Sequence, residues 1–197
     1  MRMTFRRLSA GTVTGIAFLF FANVPRAHAL VEECDRELFS KMNTLRGSVT
    51  KIVDGDTIGF LFRGLDYRIR MSGIDTPETH FQGKSQGYWG ERAASRLERI
   101  LPVGSRVTVE LGTEKCDANG RILGEVFLDD RDLNQEQLRE GLAVNYCIYP
   151  DDGCQEKSEI VRAAIENGRG IFGEKPRLEQ LPYIWRNTIR GTAPHRF

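Results

Sequence analysis

The sequence predicts an α+β fold, mainly β, in which a five-stranded barrel carries three helices. Three observations predict it. Five short segments alternate apolar and polar residues with the period of a half-buried strand. Longer segments space their apolar residues three and four apart, as an amphipathic helix does. The order along the chain is three strands, a helix, two strands, then two helices.

The elements follow in turn. Residues 30–46 contain ECDRELFSKMNTL and read as a short helical lead-in. GSVTKIV (47–53) and TIGFLF (57–62) flank a DGD turn and read as a hairpin. After Arg63-Gly64, DYRIRMS (66–72) puts Tyr67, Ile69 and Met71 on one face and Arg68, Arg70 and Ser72 on the other. FQGKSQGYWG (81–90) is Gly-rich and aperiodic, the composition of a mobile surface loop. ERAASRLERIL (91–101) has Ala94, Leu97 and Leu101 at helical spacing, and Pro102 and Gly104 stop it. SRVTVEL (105–111) is the fourth strand, EKCDANGR (114–121) a turn and ILGEVFL (122–128) the fifth strand. Asn134 is expected to cap a helix whose apolar face is Leu138 and Leu142, and a third helix is expected from about 156 to 167, before Gly168. Five short strands with a helix inserted after the third suit a Greek-key barrel of OB type. The tail 174–197 has three prolines and scattered aromatics, and reads as a surface strap, or a partly disordered segment, rather than a second domain.

At 197 residues the chain holds one domain with extensions. Residues 1–29 have the order of a secretory signal peptide: Arg2, Arg6 and Arg7, an apolar run over 11–24, then Ala27 and Ala29 two apart. The apolar run is shorter than the ~20 residues of a membrane span. An uncleaved anchor is the alternative reading. Without the four arginines of this segment, Lys+Arg falls from 28 to 24 against 27 Asp+Glu, a net of −3. That charge excludes a generally basic nucleic-acid binder, so polyanion contacts must come from a local arginine cluster. Cys34, Cys116, Cys147 and Cys154 form an even set, consistent with two disulfides in an oxidising compartment. Three pairings are possible; one closes a small loop between Cys147 and Cys154 and leaves Cys34 with Cys116. No C-x-x-C occurs, and His80 and His195 are the only histidines after residue 29, which argues against zinc.

Three polar clusters stand apart: DGDT (54–57), RIRMSGIDTPE (68–78) and DANGR (117–121). Each alone is an ordinary turn or strand face. Together they hold the parts for phosphodiester hydrolysis. Asp56 and Asp75 offer hard oxygens for Ca2+ or Mg2+. Glu78 can orient or deprotonate a water. Arg70 and Arg121 are planar forks that can grip phosphate oxygens in pairs, and so stabilise the charge of a phosphoryl transition state.

VDGDT, YRIRMSGIDTPE, YWGERAASRL, NGRILGEVFL and LNQEQLREGLA, in that order, resemble the staphylococcal nuclease (thermonuclease) family over roughly residues 47–173. The resemblance implies a five-stranded OB barrel with three helices and a secreted or periplasmic Ca2+-dependent endonuclease acting on DNA and RNA. Products would carry 3′-phosphate ends. It assigns Asp56 and Asp75 as calcium ligands, with the backbone carbonyl of Thr76. It assigns Arg70 and Arg121 to the scissile phosphate and Glu78 as general base. Tyr149 and Tyr146 match the family's nucleotide-contacting tyrosines, in a segment (NYCIYP) one residue short. Asn119 stands where the family often has an aromatic, and Lys84 alone represents its lysine-rich loop. The resemblance implies a monomer with no stable protein partner and no membrane contact after signal cleavage. The competing expectation is a non-catalytic OB-type module that binds nucleic acid or protein.

Overall fold

The structure, a computed structural model, describes residues 31–149 and 153–192. The expected signal peptide, residues 1–29, lies outside the described residues, as does the end of the tail. In chain order the elements are β1 (Val31–Glu32), α1 (Arg36–Ser40), β2 (Thr44–Ile52), β3 (Thr57–Phe62), β4 (Leu65–Met71), β5 (Gly73–Asp75) and α2 (Tyr88–Ile100). Then come β6 (Arg106–Glu110), β7 (Ile122–Leu128), β8 (Arg131–Asp132), α3 (Leu133–Arg139), β9 (Val144–Tyr146), α4 (Cys154–Glu166), a 3-10 turn at Gly170–Phe172 and α5 (Pro182–Arg190).

Five strands close a mixed barrel. Antiparallel pairs run β4-β3-β2-β6-β7, and β7 returns to pair in parallel with β4, setting Ile69 opposite Ile122 and Arg70 opposite Leu123. Closure removes the open edges that would otherwise template aggregation. The alternation read in β4 places Tyr67, Ile69 and Met71 inward, where they join Leu45, Val49, Ile58, Phe60, Val109, Ile122 and Val126 in one core. Leu97 and Leu101 of the α2 segment and Leu138 of α3 seal one side of it. Each such side chain contributes roughly 1.5–3 kcal/mol of hydrophobic stabilisation when fully buried.

Several boundaries differ from expectation. The first barrel strand begins at Thr44, because residues 44–48 pair with β6. Helix α2 starts at Tyr88, so three residues assigned to the Gly-rich loop are helical. The remaining loop is pinched by reciprocal backbone bonds between Phe81 and Lys84, at 2.7 and 3.0 Å. Asn134 is not the cap of α3. Asp132 is, accepting the Gln135 N–H at 3.0 Å. Asn134 is fully buried, accepts the Val126 N–H at 3.0 Å and donates to the Ser72 carbonyl at 2.9 Å, so it ties α3 to the barrel. The cysteines pair as Cys34–Cys116 and Cys147–Cys154.

The tail is anchored at several points. Trp89 packs with Ala93, Leu142, Val144 and Ile171 in a second small cluster against which Leu178 and Leu181 rest. Its indole N–H donates to the Pro176 carbonyl at 2.6 Å. The Gln86 amide donates to the Gln180 carbonyl at 2.9 Å. Beyond these anchors Pro182 opens α5 in its first turn and Gly191, at φ +69°, closes it. No helix among the described residues is long and apolar enough to cross a membrane.

Candidate active site

The DGD turn is folded by its own side chains. Asp54 Oδ1 accepts the Asp56 N–H at 3.0 Å, the local bond that makes aspartate a turn former. This sends the Asp56 carboxylate inward, where it is almost fully buried. Its Oδ2 accepts the Thr76 N–H at 2.7 Å and the Thr76 hydroxyl at 3.0 Å, and its Oδ1 accepts the Thr57 hydroxyl at 3.2 Å. One carboxylate thus joins the first hairpin to the turn after β5.

Arg70 ends β4 on the face read as polar, yet that face is not solvated there. The side chain is almost buried, with Nε 3.3 Å from Asp56 Oδ1 and Nη2 donating to Asp75 Oδ1 at 3.0 Å. Nη1 donates to the Met71 carbonyl at 2.6 Å. Asp75 is delivered by β5, which pairs with β9, and is completely buried.

Glu78 follows Pro77 in the turn and is half-buried. Its backbone is held from both sides. The Glu78 N–H donates to the Gln86 side-chain oxygen at 3.2 Å, and its carbonyl accepts the Gln86 N–H at 2.9 Å. Helix α2 approaches so closely that a Cβ on Gly90 would meet the Glu78 carbonyl oxygen first, then its carbon at 2.7 Å and Thr79 N at 3.0 Å. Glycine is required there by contact, not by φ.

Arg121 is presented by the DANGR turn. Asp117 Oδ1 accepts the N–H groups of Asn119 and Arg121 at 2.8 and 3.0 Å. Its Oδ2 accepts Arg121 Nε at 2.7 Å and pairs with Nη2 at 2.6 Å. Nη1 is left to reach across to the Thr57 hydroxyl at 3.4 Å.

A third guanidinium enters from the tail. Arg186 of α5 forks onto Asp75, with Nη1 to Oδ1 at 2.8 Å and Nη2 to Oδ2 at 2.9 Å, and Nη1 also donates to Glu78 Oε1 at 2.7 Å. Sequence reading missed this residue. The Pro182 and Gly191 pair bracketing PYIWRNTIR was the available signal for a helix, but nothing local points Arg186 at residues more than a hundred positions earlier. Asp54 and Asp117, which shape the two turns, were also passed over; their spacing before Asp56 and Asn119 was the signal.

The electrostatics follow from burial and pairing. Burial pushes Asp54 up to about 8, helped by the charge of Asp56. Asp56 is more buried still, but Arg70 and the Thr76 N–H outweigh the lost solvent and hold it below the ordinary range. Burial drives Asp75 upward against the opposing charges of Arg186 and Arg70. Burial and Asp56 likewise raise Glu78, with Arg186 opposing. Asp75 and Glu78 keep Arg186 firmly protonated in spite of its own burial.

All of these groups except the completely buried Asp75 line one cleft of about 520 Å3; Thr76, also buried, does not line it. Arg70, Asp56, Glu78, Arg121, Tyr146 and Tyr149 all line it. Tyr146 lies against Tyr183 of α5, ring centroids 6.0 Å apart, with the Arg186 guanidinium over its ring at 5.9 Å. The sequence-predicted residues therefore converge, and the tail adds a wall.

As a place for a divalent cation, the donor set has the right chemistry. The Asp56 and Asp75 carboxylates are hard oxygens that already share one guanidinium, and calcium sites combine such carboxylates with backbone carbonyls and water. Among the described residues no three His, Cys, Asp or Glu side chains are arranged to hold a metal by themselves.

A five-stranded OB-type barrel whose cleft gathers buried carboxylates and guanidiniums from separate turns defines a distinct class of small α+β protein. Residues 68–172 match the family described as "Staphylococcal nuclease homologue", and the chain belongs to that family. It is 36% identical over 118 residues to a thermonuclease of Staphylococcus intermedius, covering 58% of this chain and 70% of that one. It is 29% identical over 157 residues to a micrococcal nuclease of Shigella flexneri, covering 75% and 84%. With Endonuclease YhcR of Bacillus subtilis (strain 168) it shares 32% identity over 161 residues, 77% of this chain but only 13% of that longer protein. Helix α5 and Arg186 lie beyond the matched family segment.

Proposed function

We propose that this protein is a calcium-dependent endonuclease that hydrolyses phosphodiester bonds of DNA and RNA after export to the periplasm or beyond. The observation that carries the reading is the convergence of Arg70, Arg121, Glu78 and Asp56 on one cleft, with Asp75 buried directly behind Arg70. Arg70 approaches from β4 and Arg121 from the turn before β7, so a phosphate between them is gripped from two sides and its developing charge is met by preorganised donors. Glu78 takes the proton of the attacking water, and its raised affinity for protons brings it nearer the value a general base needs. A calcium ion held by Asp56, Asp75 and the Thr76 carbonyl would supply Lewis-acid polarisation of the phosphoryl oxygen. Tyr146 and Tyr149 flank the cleft as contacts for the nucleotide. Cleavage of the bond to the 5′ oxygen leaves a 3′-phosphate. Export rests on the leader-like residues 1–29 and on the cysteine pairs.

The test is digestion of single-stranded DNA by residues 30–197, with Ca2+ or with chelator, beside Glu78→Gln and Arg70→Ala. Digestion should require Ca2+, and each variant should lose roughly 10²-fold or more in turnover. Binding of DNA without cleavage at any Ca2+ concentration overturns the enzyme reading. Full activity in Glu78→Gln overturns only the role given to Glu78.

A further inference from the structure

One heavily engaged group in the cleft is not used by the proposed chemistry. Arg186 occupies both oxygens of Asp75 and one of Glu78. Asp75 Oδ1 also accepts Arg70 at 3.0 Å, so both its lone pairs are taken and Oδ2 keeps one. The guanidinium therefore covers a carboxylate assigned to the cation and a carboxylate assigned to the base.

Charge balance explains why a cation is needed there. Asp56, Asp75 and Glu78 are drawn together through Arg70 and Arg186, and Arg121 is already committed to Asp117. Arg70 alone cannot neutralise three carboxylates. Something positive has to sit between Asp75 and Glu78, and a divalent ion or Arg186 can do so. Both together would bring like charges into contact within a site that excludes most solvent.

The helix carrying Arg186 is built to leave. It is nine residues long, shorter than a helix that stands alone in water, and Pro182 is its only buried residue. Beyond the ion pairs it rests on ring contacts: Tyr183 on Tyr146, Trp185 at 6.3 Å from Phe81, and Arg190 over Phe81 at 4.9 Å. The Trp89 and Gln86 anchors hold the chain just upstream, so α5 can swing out without unfolding the barrel.

We propose that Arg186 is a built-in counter-ion for the metal-and-base half of the site, and that docking of α5 and binding of a divalent cation exclude one another. The proposal rests on the calcium reading above. Without the cation, the base is capped and the tail walls the cleft. The cation displaces the guanidinium, frees Glu78 and opens the wall. By linkage, whatever factor the docked arginine takes from cation affinity, the cation takes from docking.

Ca2+ titration calorimetry on the wild-type protein and on Arg186→Gln tests this, together with hydrogen exchange of the 182–190 amides with and without Ca2+. Arg186→Gln should bind Ca2+ about 5- to 150-fold more tightly, the usual range for coupled sites. Saturating Ca2+ should speed exchange across α5 in the wild type. Arg190→Gln removes the same charge from the same helix without touching the carboxylates; it loses only the stack on Phe81 and should tighten binding by about two- to threefold, less than Arg186→Gln. An affinity for Arg186→Gln within twofold of wild type, or α5 exchange unmoved by saturating Ca2+, overturns the exclusion and leaves the calcium reading standing. Equal tightening in Arg190→Gln reduces the effect to bulk charge and also overturns it. Absence of Ca2+ binding in all three proteins overturns the exclusion and the calcium reading together.

Discussion

Replacing Gly90 with alanine moves the proposed base without altering any functional side chain of the site. The new Cβ would stand 2.7 Å from the Glu78 carbonyl carbon, where ordinary contact begins at 3.4 Å, and closer still to the oxygen. The shortfall is at least 0.7 Å, the difference between those two distances. The atoms on both sides are backbone, the first turn of α2 and the 78–79 peptide, so no side chain can rotate away. Overpacking of this kind costs about 1–3 kcal/mol, while alanine returns about 1 kcal/mol of helix propensity. The net loss of stability is therefore small, about 0–2 kcal/mol. The kinetic effect is not small, because displacing a catalytic group by close to 1 Å costs up to about 10²-fold in rate. We expect kcat to fall roughly 10- to 100-fold on single-stranded DNA at a temperature where both proteins are folded, with the melting midpoint recorded alongside. A variant that is folded and within twofold of wild-type turnover would show that the backbone position of Glu78 does not matter to catalysis.

The other predictions concern stability. Asp132→Ala should cost about 1 kcal/mol as the loss of a helix cap, whereas Asn134→Ala leaves the buried Val126 N–H without its acceptor and should cost more, about 2–4 kcal/mol; equal losses in urea melts would refute the assignment. Asp117 is opposed by burial, but the Arg121 N–H, its guanidinium and the Asn119 N–H hold the carboxyl below its ordinary 3.8. A lowered folded-state value means its contribution is complete above that pH and is lost as pH falls through the folded value. The deficit of Asp117→Asn, expected at about 1–3 kcal/mol at pH 7, should therefore shrink in denaturant melts below pH 4, and a constant gap would refute the charge-assisted account. Removing the Cys34–Cys116 bridge by paired serine substitution opens a loop spanning 82 residues and should cost about 2–5 kcal/mol; an unchanged midpoint under oxidising conditions would count against its role as a staple.

Much of the fold is legible along the chain because barrel strands and amphipathic helices are encoded in windows of a few residues. TIGFLF and ILGEVFL become β3 and β7 at the expected bounds, 57–62 and 122–128. Asp56 and Arg121 are announced by turn chemistry that is also local, Asp54 and Asp117 folding back on the amides that follow them. Errors came where a local signal competed with a distant partner. Asn134 has the chemistry of a cap, but burial against β7 and Ser72 took it, and Asp132 two residues earlier was left to cap α3. β5 and β9 are three residues each, too short to show a period, and exist because each finds the other.

By itself, then, the sequence determined the order of the five barrel strands and of α2 to α4, the inward face of β4 and the residue types brought to the site, while the tail it read as a strap carries the helix α5. Only the tertiary structure decided that the polar face of β4 is sealed around Arg70, that β4 and β7 close the barrel, and that Arg186 lies on Asp75 and Glu78. The physical reason is range. Periodicity and turn chemistry act between neighbours, whereas an ion pair spanning 111 positions forms only after the barrel has placed both partners and excluded the water between them.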